Sequence, residues 1–389
     1  MLKGQGVLVI GAGIGGLASA IALAKRGANV RVVEQAPEIT EVGAGLQISP
    51  NGVAVLDALG LGERAREMAI RSRSVVLRDF RLGALVLRVD LSKHSPDLTY
   101  LLFHRADLID LLADGARDAG VQIELGRQVA NLSEDEAGVS VEFADGSQEQ
   151  HALVIGADGL HSGMRQLLNG KAAPDFTGQV AWRACVPTTD ELMPEVTVHM
   201  GPGRHLITYP LRGGQLINIV AVEERTTWAD EGWNHPGDPE ELRHAFSSFS
   251  PQVNYLLERV EIVKLWGLFS HPVAQYWHRN HSALVGDAAH PTLPFLAQGA
   301  NMALEDAWVL ADCLANIDAR YALPAYHKRR HARVKRVIAA ANANARNYHL
   351  QNPVVRGAAH SLLRLGGAFA PAKVVGQFDW IYRHDVTRN

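Results

Sequence analysis

Apolar and polar positions change rhythm several times along the chain, and each rhythm predicts an element. Val7-Leu8-Val9-Ile10 is an unbroken apolar run, largely β-branched, of buried-strand length. A helix-period stretch from Leu17 to Arg26 stops at Gly27, and Val30-Arg31-Val32-Val33 then reads as a second strand. Ser49 and Pro50 predict an N-cap and first helical position, with the helix running to about Met68. Ser74 to Leu91 alternates and breaks at Gly83, which predicts a hairpin. A helix is expected from Phe103 to Gly120, then a strand from Val121 to Leu125. Antiparallel pairs follow from Val129 to Phe143, turning at Glu136-Ala137-Gly138. Ala152 to Ala157 and Ser282 to Gly286 are further buried strands. Between them, from Gly178 to about Leu268, lie short strands, Pro/Gly turns and four of the seven tryptophans: Trp182, Trp228, Trp233 and Trp266. One long helix ends near Asn316 and another runs from about Pro324 towards Tyr348.

These rhythms predict an α/β protein: a Rossmann-like nucleotide-binding domain with an inserted, mostly antiparallel β domain and C-terminal helices. The expected boundaries give a discontinuous nucleotide domain over 1–75, 100–177 and 268–320, a substrate domain over 76–99 and 178–267, and a helical region over 321–389. A length of 389 residues, 47% of them hydrophobic, is comfortable for two cores. Net charge is −3, which argues against a general nucleic-acid binder. Cys185 and Cys313 stand far apart, without metal-ligand spacing, so no metal is expected and a reducing compartment, the cytoplasm, is the default. The uncharged stretch Val7 to Ala24 after Lys3 invites a reading as a signal or membrane segment, but four glycines in its middle make a poor apolar span. No membrane association is expected.

That same stretch carries the main chemistry. Gly11, Gly13, Ile14, Gly15 and Gly16 form G-x-G-x-x-G between strand and helix, and Glu34 ends the next strand roughly 20 residues on. Strand, glycines, helix, strand and acid in this order predict an adenine dinucleotide, its pyrophosphate at the helix N-terminus and its ribose at Glu34. Asp158-Gly159 and Gly286-Asp287 end two other buried strands, and in an open α/β sheet such ends converge on one ligand.

The chain resembles the group A flavoprotein aromatic hydroxylases over essentially its whole length. The likeness rests on the G-x-G-x-x-G, on D-G-x-x-S-x-x-R at 158–165 and on G-D-A-A-H-P at 286–291. Gly43 to Asn51 and Ala297 to Ala307 look most like the salicylate and 3-hydroxybenzoate hydroxylase branch. The resemblance implies bound FAD, with Arg105 at the pyrophosphate or ribityl region, Val129 by the adenine and Asp287 on a ribityl hydroxyl. It implies that Asp158 and Arg165 serve the flavin and nicotinamide, or else form a structural ion pair. It also implies that Gly299, Ala300 and Asn301 offer backbone amides to the flavin. No second G-x-G-x-x-G follows a strand, so NADH or NADPH is expected as a transient co-substrate.

The activity so implied is hydroxylation of a small aromatic or heteroaromatic acid with O2 through a flavin C4a-hydroperoxide. A flavin-dependent dehydrogenase without oxygen insertion is the alternative. Ring activation needs a proton acceptor, and His205 and Tyr209, four apart on an alternating strand, share one face. Gln47 is placed on ligand or flavin. Trp182, Arg183 and Arg212 are further candidates to line the pocket, while Pro294-Phe295-Leu296 stands where several relatives carry a polar residue. The basic run Lys328, Arg329, Arg330, Arg333, Lys335 and Arg336 reads as a solvated helix face or a contact in a homodimer.

Overall fold

A computed structural model describes residues 2–39, 44–171, 173–225, 235–370 and 376–388. Glu41 to Gly43 of the glycine-rich motif, Trp228 and Trp233 lie outside the described residues. Five parallel strands form one sheet in the order Ser282–Leu284, Val154–Gly156, Gly6–Ile10, Asn29–Val33, Gln122–Glu124. The apolar runs of Gly6–Ile10, Val154–Gly156 and Ser282–Leu284 reflect burial on both faces, while the edge strand Gln122–Glu124 is polar and partly exposed. The helices Ile14–Ala24, Arg105–Asp118 and Gly299–Asn316 help enclose the same hydrophobic core. A small antiparallel sheet, Val129–Glu134, Val139–Phe143 and Gln148–His151, lies alongside.

The second large sheet has eight strands. Its order is Pro236–Gly237, Val263–Ser270, Asp175–Pro187, Leu216–Glu224, Arg204–Leu211, Glu195–Gly201, Ser74–Asp79, Leu85–Asp90. Every pairing is antiparallel except that of Glu195–Gly201 with Ser74–Asp79. The hairpin read at 74–91 therefore joins the strands of the 178–268 region in one sheet.

Several boundaries differ from the sequence reading, each for a local reason. The helix after Pro50 is two helices, Pro50–Ala58 and Gly62–Met68, because Gly60 turns into the left-handed region at φ +78°. Phe103 and His104 end a strand, Leu101–His104, and the helix begins only at Arg105. Gly45–Ile48, read as loop, pairs with that strand. The helix expected from Pro324 begins a turn and a half earlier, at Ala319, and a further helix spans Pro353–Phe369.

The basic run is not a solvated face throughout. Arg330 is fully buried, between Glu305 Oε2 at 2.5 Å and Asp306 Oδ1 at 2.7 Å. Arg333 also grips Glu305, at 2.8 Å. The apolar face of Gly299–Asn316 carries Glu305 and Asp306 into the core, so the facing helix must supply cations to pair them. His290 Nε2 completes the cluster, 2.5 Å from Asp306.

Candidate active site

Strand ends and two helix N-termini meet in one trough. Gly16 starts the close packing: a Cβ there would lie 1.9 Å from Gly11 O, so only glycine lets the first helix meet the loop. Helix Ile14–Ala24 has Gly13 as N-cap, with neither a capping side chain nor an acid in its first turn. Its unpaired amides and the positive end of its dipole are left for an anion. Glu34 reaches back to this loop: Oε2 accepts from Ala12 N–H at 2.8 Å and Oε1 from Ala36 N–H at 3.0 Å.

From Glu34 the trough widens to a cleft of about 760 Å3, with Gly11, Gly13, Arg105, Val129, Asp158 and Asp287 in its walls. Gly13, Arg105, Gly159 and Asp287 are shared with a second cleft of about 240 Å3. That second part adds Ile14, Gly15, Gln47, Arg183, Tyr209, Gly299 and Ala300. Helix Gly299–Asn316 opens on it, again with no side-chain cap and no acid in its first turn. Ala297, at φ +51°, makes the sharp turn before that helix start.

Asp287 follows the strand Ser282–Leu284 and is half-buried against the trough. Burial raises its carboxyl above the ordinary range, against the opposing pull of His290 and Arg105. Asp158 is also raised by burial, and is held by the Ser162 hydroxyl at 2.5 Å and the Met164 N–H at 3.1 Å. The alternative ion pair with Arg165 does not form. Arg165 instead donates to the carbonyls of Ala288 and Pro272, because its helix turns it towards the Pro272–Ala289 segment.

On the far wall, Tyr209 is buried beside Gly45, whose Cβ would sit 2.6 Å from the tyrosine ring. Gly45 N–H donates to Asn218 Oδ1 at 2.7 Å, which ties the short strand to the large sheet. Burial pushes the Tyr209 hydroxyl well above its ordinary range, with Arg183 and a hydrogen bond with Gln47 opposing. Ile207 and Val220 make this wall apolar. His205 lies farther along the same strand, its ring 6.0 Å from that of Phe295 and 4.9 Å from that of His349.

Other side chains nearby are spent within the fold. The Asn301 side chain is committed to the fold: Oδ1 accepts from Ser49 N–H at 3.0 Å, and Nδ2 donates to Gln47 O and Ala297 O. Ser49 sits at the N-cap, but its hydroxyl donates to Asn51 and accepts from Gln298 rather than capping. Trp182 is buried against Phe246, on the opposite face of the sheet from Arg183. Arg212 is turned to Asp107 at 2.6 Å and to His104 at 3.2 Å. Asn218, Glu224 and His349 escaped the sequence reading. The first two stand on a strand that reads only as alternating sheet, and His349 carries no motif.

The residues present fit FAD. The space where a Gly13 side chain would project is empty to 4 Å, a cradle only glycine leaves open. Two bare helix N-termini supply amides, and the Glu34 and Asp287 carboxylates supply hydroxyl acceptors along one trough. Among the described residues no helix is long and apolar enough to cross a membrane, and no group of three or more His, Cys, Asp or Glu could hold a metal ion.

Comparison with known proteins agrees with this fit. The profile of the FAD binding domain family matches residues 5–341. The 3-hydroxybenzoate 6-hydroxylase of Polaromonas naphthalenivorans is 35% identical over 98% of this chain and 96% of its own. The structure is similar to a salicylate hydroxylase substrate complex, with TM-score 0.82 and 29% identity, over 99% of this chain and 97% of that one. It is also similar to a single-substitution variant of Klebsiella pneumoniae HpxO complexed with FAD, with TM-score 0.83 and 27% identity, over 96% and 97% of the two chains.

Proposed function

The chain belongs to the FAD binding domain family and is an FAD-dependent aromatic hydroxylase, and from that premise we propose that its substrate is a small hydroxybenzoate-type acid. NADH or NADPH is the electron donor in this reading. The observation that carries it is the wall facing the helix start at Gly299, where Tyr209, Gln47 and Arg183 bring a hydroxyl, an amide and a guanidinium onto an apolar surface. That set matches a ring with one ionisable hydroxyl and one carboxylate.

Gly11 to Gly16 and the amides of the first helix would hold the pyrophosphate of FAD, Glu34 the adenosine ribose, Val129 the adenine side, and Asp287 with Arg105 the ribityl region. When bound, the flavin supplies reduction by the nicotinamide and delivery of one oxygen atom from O2 to the ring. Gly299, Ala300 and Asn301 would present backbone N–H groups to the flavin, with the Asn301 side chain holding this turn against Gln47. The positive helix end there favours negative charge by roughly 0.3–1 kcal/mol, more where partly buried.

Arg183 pairs with the substrate carboxylate and fixes the ring orientation. Tyr209 hydrogen-bonds the ring hydroxyl while Gln47 orients Tyr209. His205, beyond Ile207, takes the hydroxyl proton, because an oxygen electrophile attacks a phenolate far better than a phenol. Ile207, Val220 and Leu293 keep water from the reacting face. We take the enzyme to work in the cytoplasm, in keeping with the free thiols of Cys185 and Cys313.

The test is NADH and NADPH oxidation across a panel of hydroxybenzoates, with product quantified per nicotinamide consumed. A cognate acid is expected to speed oxidation and give near-stoichiometric product, and Tyr209→Phe to lower product per NADH by about tenfold or more. Unchanged coupling in Tyr209→Phe would remove it from the ring-activating step.

A further inference from the structure

His205 does not stand alone. Its Nδ1 lies 2.6 Å from His349 Nε2, and His349 Nδ1 lies 2.9 Å from Glu224 Oε1. The two rings are buried at 1% and 4% exposure, whereas the Glu224 side chain is 37% exposed. The row therefore runs from the interior to the surface. Its outer end is pinned: Glu224 N–H donates to Gly203 O at 2.8 Å, and Gly203 N–H to His349 O at 3.3 Å. Glu224 Oε2 accepts from Gln351 Nε2 at 2.8 Å.

The order of groups dictates where protons sit. Burial lowers the pKa of both imidazoles, so both rings are neutral at neutral pH. A carboxylate only accepts hydrogen bonds, so His349 must carry its proton on Nδ1 and leave Nε2 bare. Two ring nitrogens at 2.6 Å share one proton, which His205 must then supply from its own Nδ1. That leaves His205 Nε2 without a proton on the ring edge away from His349. Among the described residues Nε2 makes no hydrogen bond. The other groups packed on the row are the rings of Tyr348, at 5.2 Å, and Phe295. The charged neighbour of His349 besides Glu224 is Arg204, itself held by Glu223 at 3.2 Å.

We propose that His349 and Glu224 are positioning residues that lock His205 as a base with a bare Nε2 and give its proton an exit to solvent. This rests on the reading that His205 meets the substrate hydroxyl. The ring O–H proton passes to His205 Nε2, the His205 Nδ1 proton to His349 Nε2, and the His349 Nδ1 proton to Glu224 Oε1, which releases it to water. One proton leaves the phenol and no electron moves. When the product oxygen is reprotonated, the same path run backwards restores both tautomers.

The direct test is 1H–15N long-range correlation spectroscopy on FAD-loaded protein labelled with 15N-histidine, without substrate. Cross-peaks are assigned by their loss in His205→Gln and His349→Gln. Both rings are expected as the Nδ1–H form, the less common tautomer of free histidine. Glu224→Leu, at a part-exposed strand end where folding should survive, is expected to release both towards Nε2–H. An Nε2–H tautomer on His205 in the wild type, or no change in Glu224→Leu, would overturn the proposal. A second arm follows how fast bound 3-hydroxybenzoate ionises after a pH jump, by absorbance in oxidised holoenzyme. Glu224→Leu and His349→Gln should slow it by about tenfold or more, with FAD content unchanged. A rate slowed in His205→Ala but not in Glu224→Leu or His349→Gln defeats the exit and leaves the base reading intact. A rate unchanged in His205→Ala defeats that reading itself, while the tautomer result stands separately.

Discussion

Replacing Arg330 by Met should destabilise the protein by about 3–5 kcal/mol at pH 7, because two buried carboxylates lose their cation while the volume is kept. Burial alone would raise the Glu305 carboxyl, but Arg330 and Arg333 beside it hold it down to about 2 from an ordinary 4.5. At 1.36 kcal/mol for each pH unit, that depression corresponds to about 3 kcal/mol, in the same range. The sign follows from a folded pKa below the unfolded one. The contribution is complete above about pH 4.5 and is lost as pH falls towards 2. With an unfolding entropy of roughly 2.1 cal/mol/K per residue, a loss of about 4 kcal/mol lowers Tm by roughly 5 °C for this chain. Urea and thermal unfolding of both proteins at pH 7 and pH 4 measure it, and the gap should narrow at pH 4, where the stranded carboxylates protonate. Flavin content should fall as well, since Glu305 and Asp306 anchor the helix whose start faces the trough. A variant within 1 kcal/mol of wild type at pH 7, or a gap that does not narrow on acidification, would refute the reasoning.

Asp287→Ala should purify folded but with most of its flavin lost, as seen by 450 nm absorbance per protein at unchanged Tm of the apoprotein. Glu34→Gln should bind FAD about 10- to 100-fold more weakly by fluorescence quenching, the worth of one charge-assisted pair of hydrogen bonds. Nicotinamide oxidation should be slow until an aromatic ligand is present, and stopped-flow rates equal with and without ligand would contradict this gating.

The nucleotide half was legible because its chemistry is local in sequence. A β-branched strand, three glycines in register, a helix and an acid at Glu34 each state a backbone requirement that a single stretch must meet. The hairpin at 74–91 and the antiparallel rhythm of 178–268 could also be read, but not that they share a sheet. A parallel pairing of Ser74–Asp79 with Glu195–Gly201 leaves no local trace. What failed were judgements about partners far apart in the chain. Ser49 read as a helix cap, yet its hydroxyl is spent on Asn51 and on Gln298, far along the chain. Trp182 read as a pocket residue, yet strand alternation sends it to the face opposite Arg183. Arg330 looked solvated because its neighbours are basic. The signal that would have corrected this was Glu305-Asp306, an acidic pair on an otherwise apolar helix face that needs buried cations.

The most direct measurement is turnover of the FAD-loaded enzyme under ¹⁸O2, with NADH or NADPH and a cognate hydroxybenzoate, followed by mass analysis of the product. The account predicts one ¹⁸O atom per product ring and about one product per nicotinamide oxidised. A product without ¹⁸O from a substrate that nevertheless drives nicotinamide oxidation would contradict it, and would make the protein a flavin dehydrogenase built on the same trough.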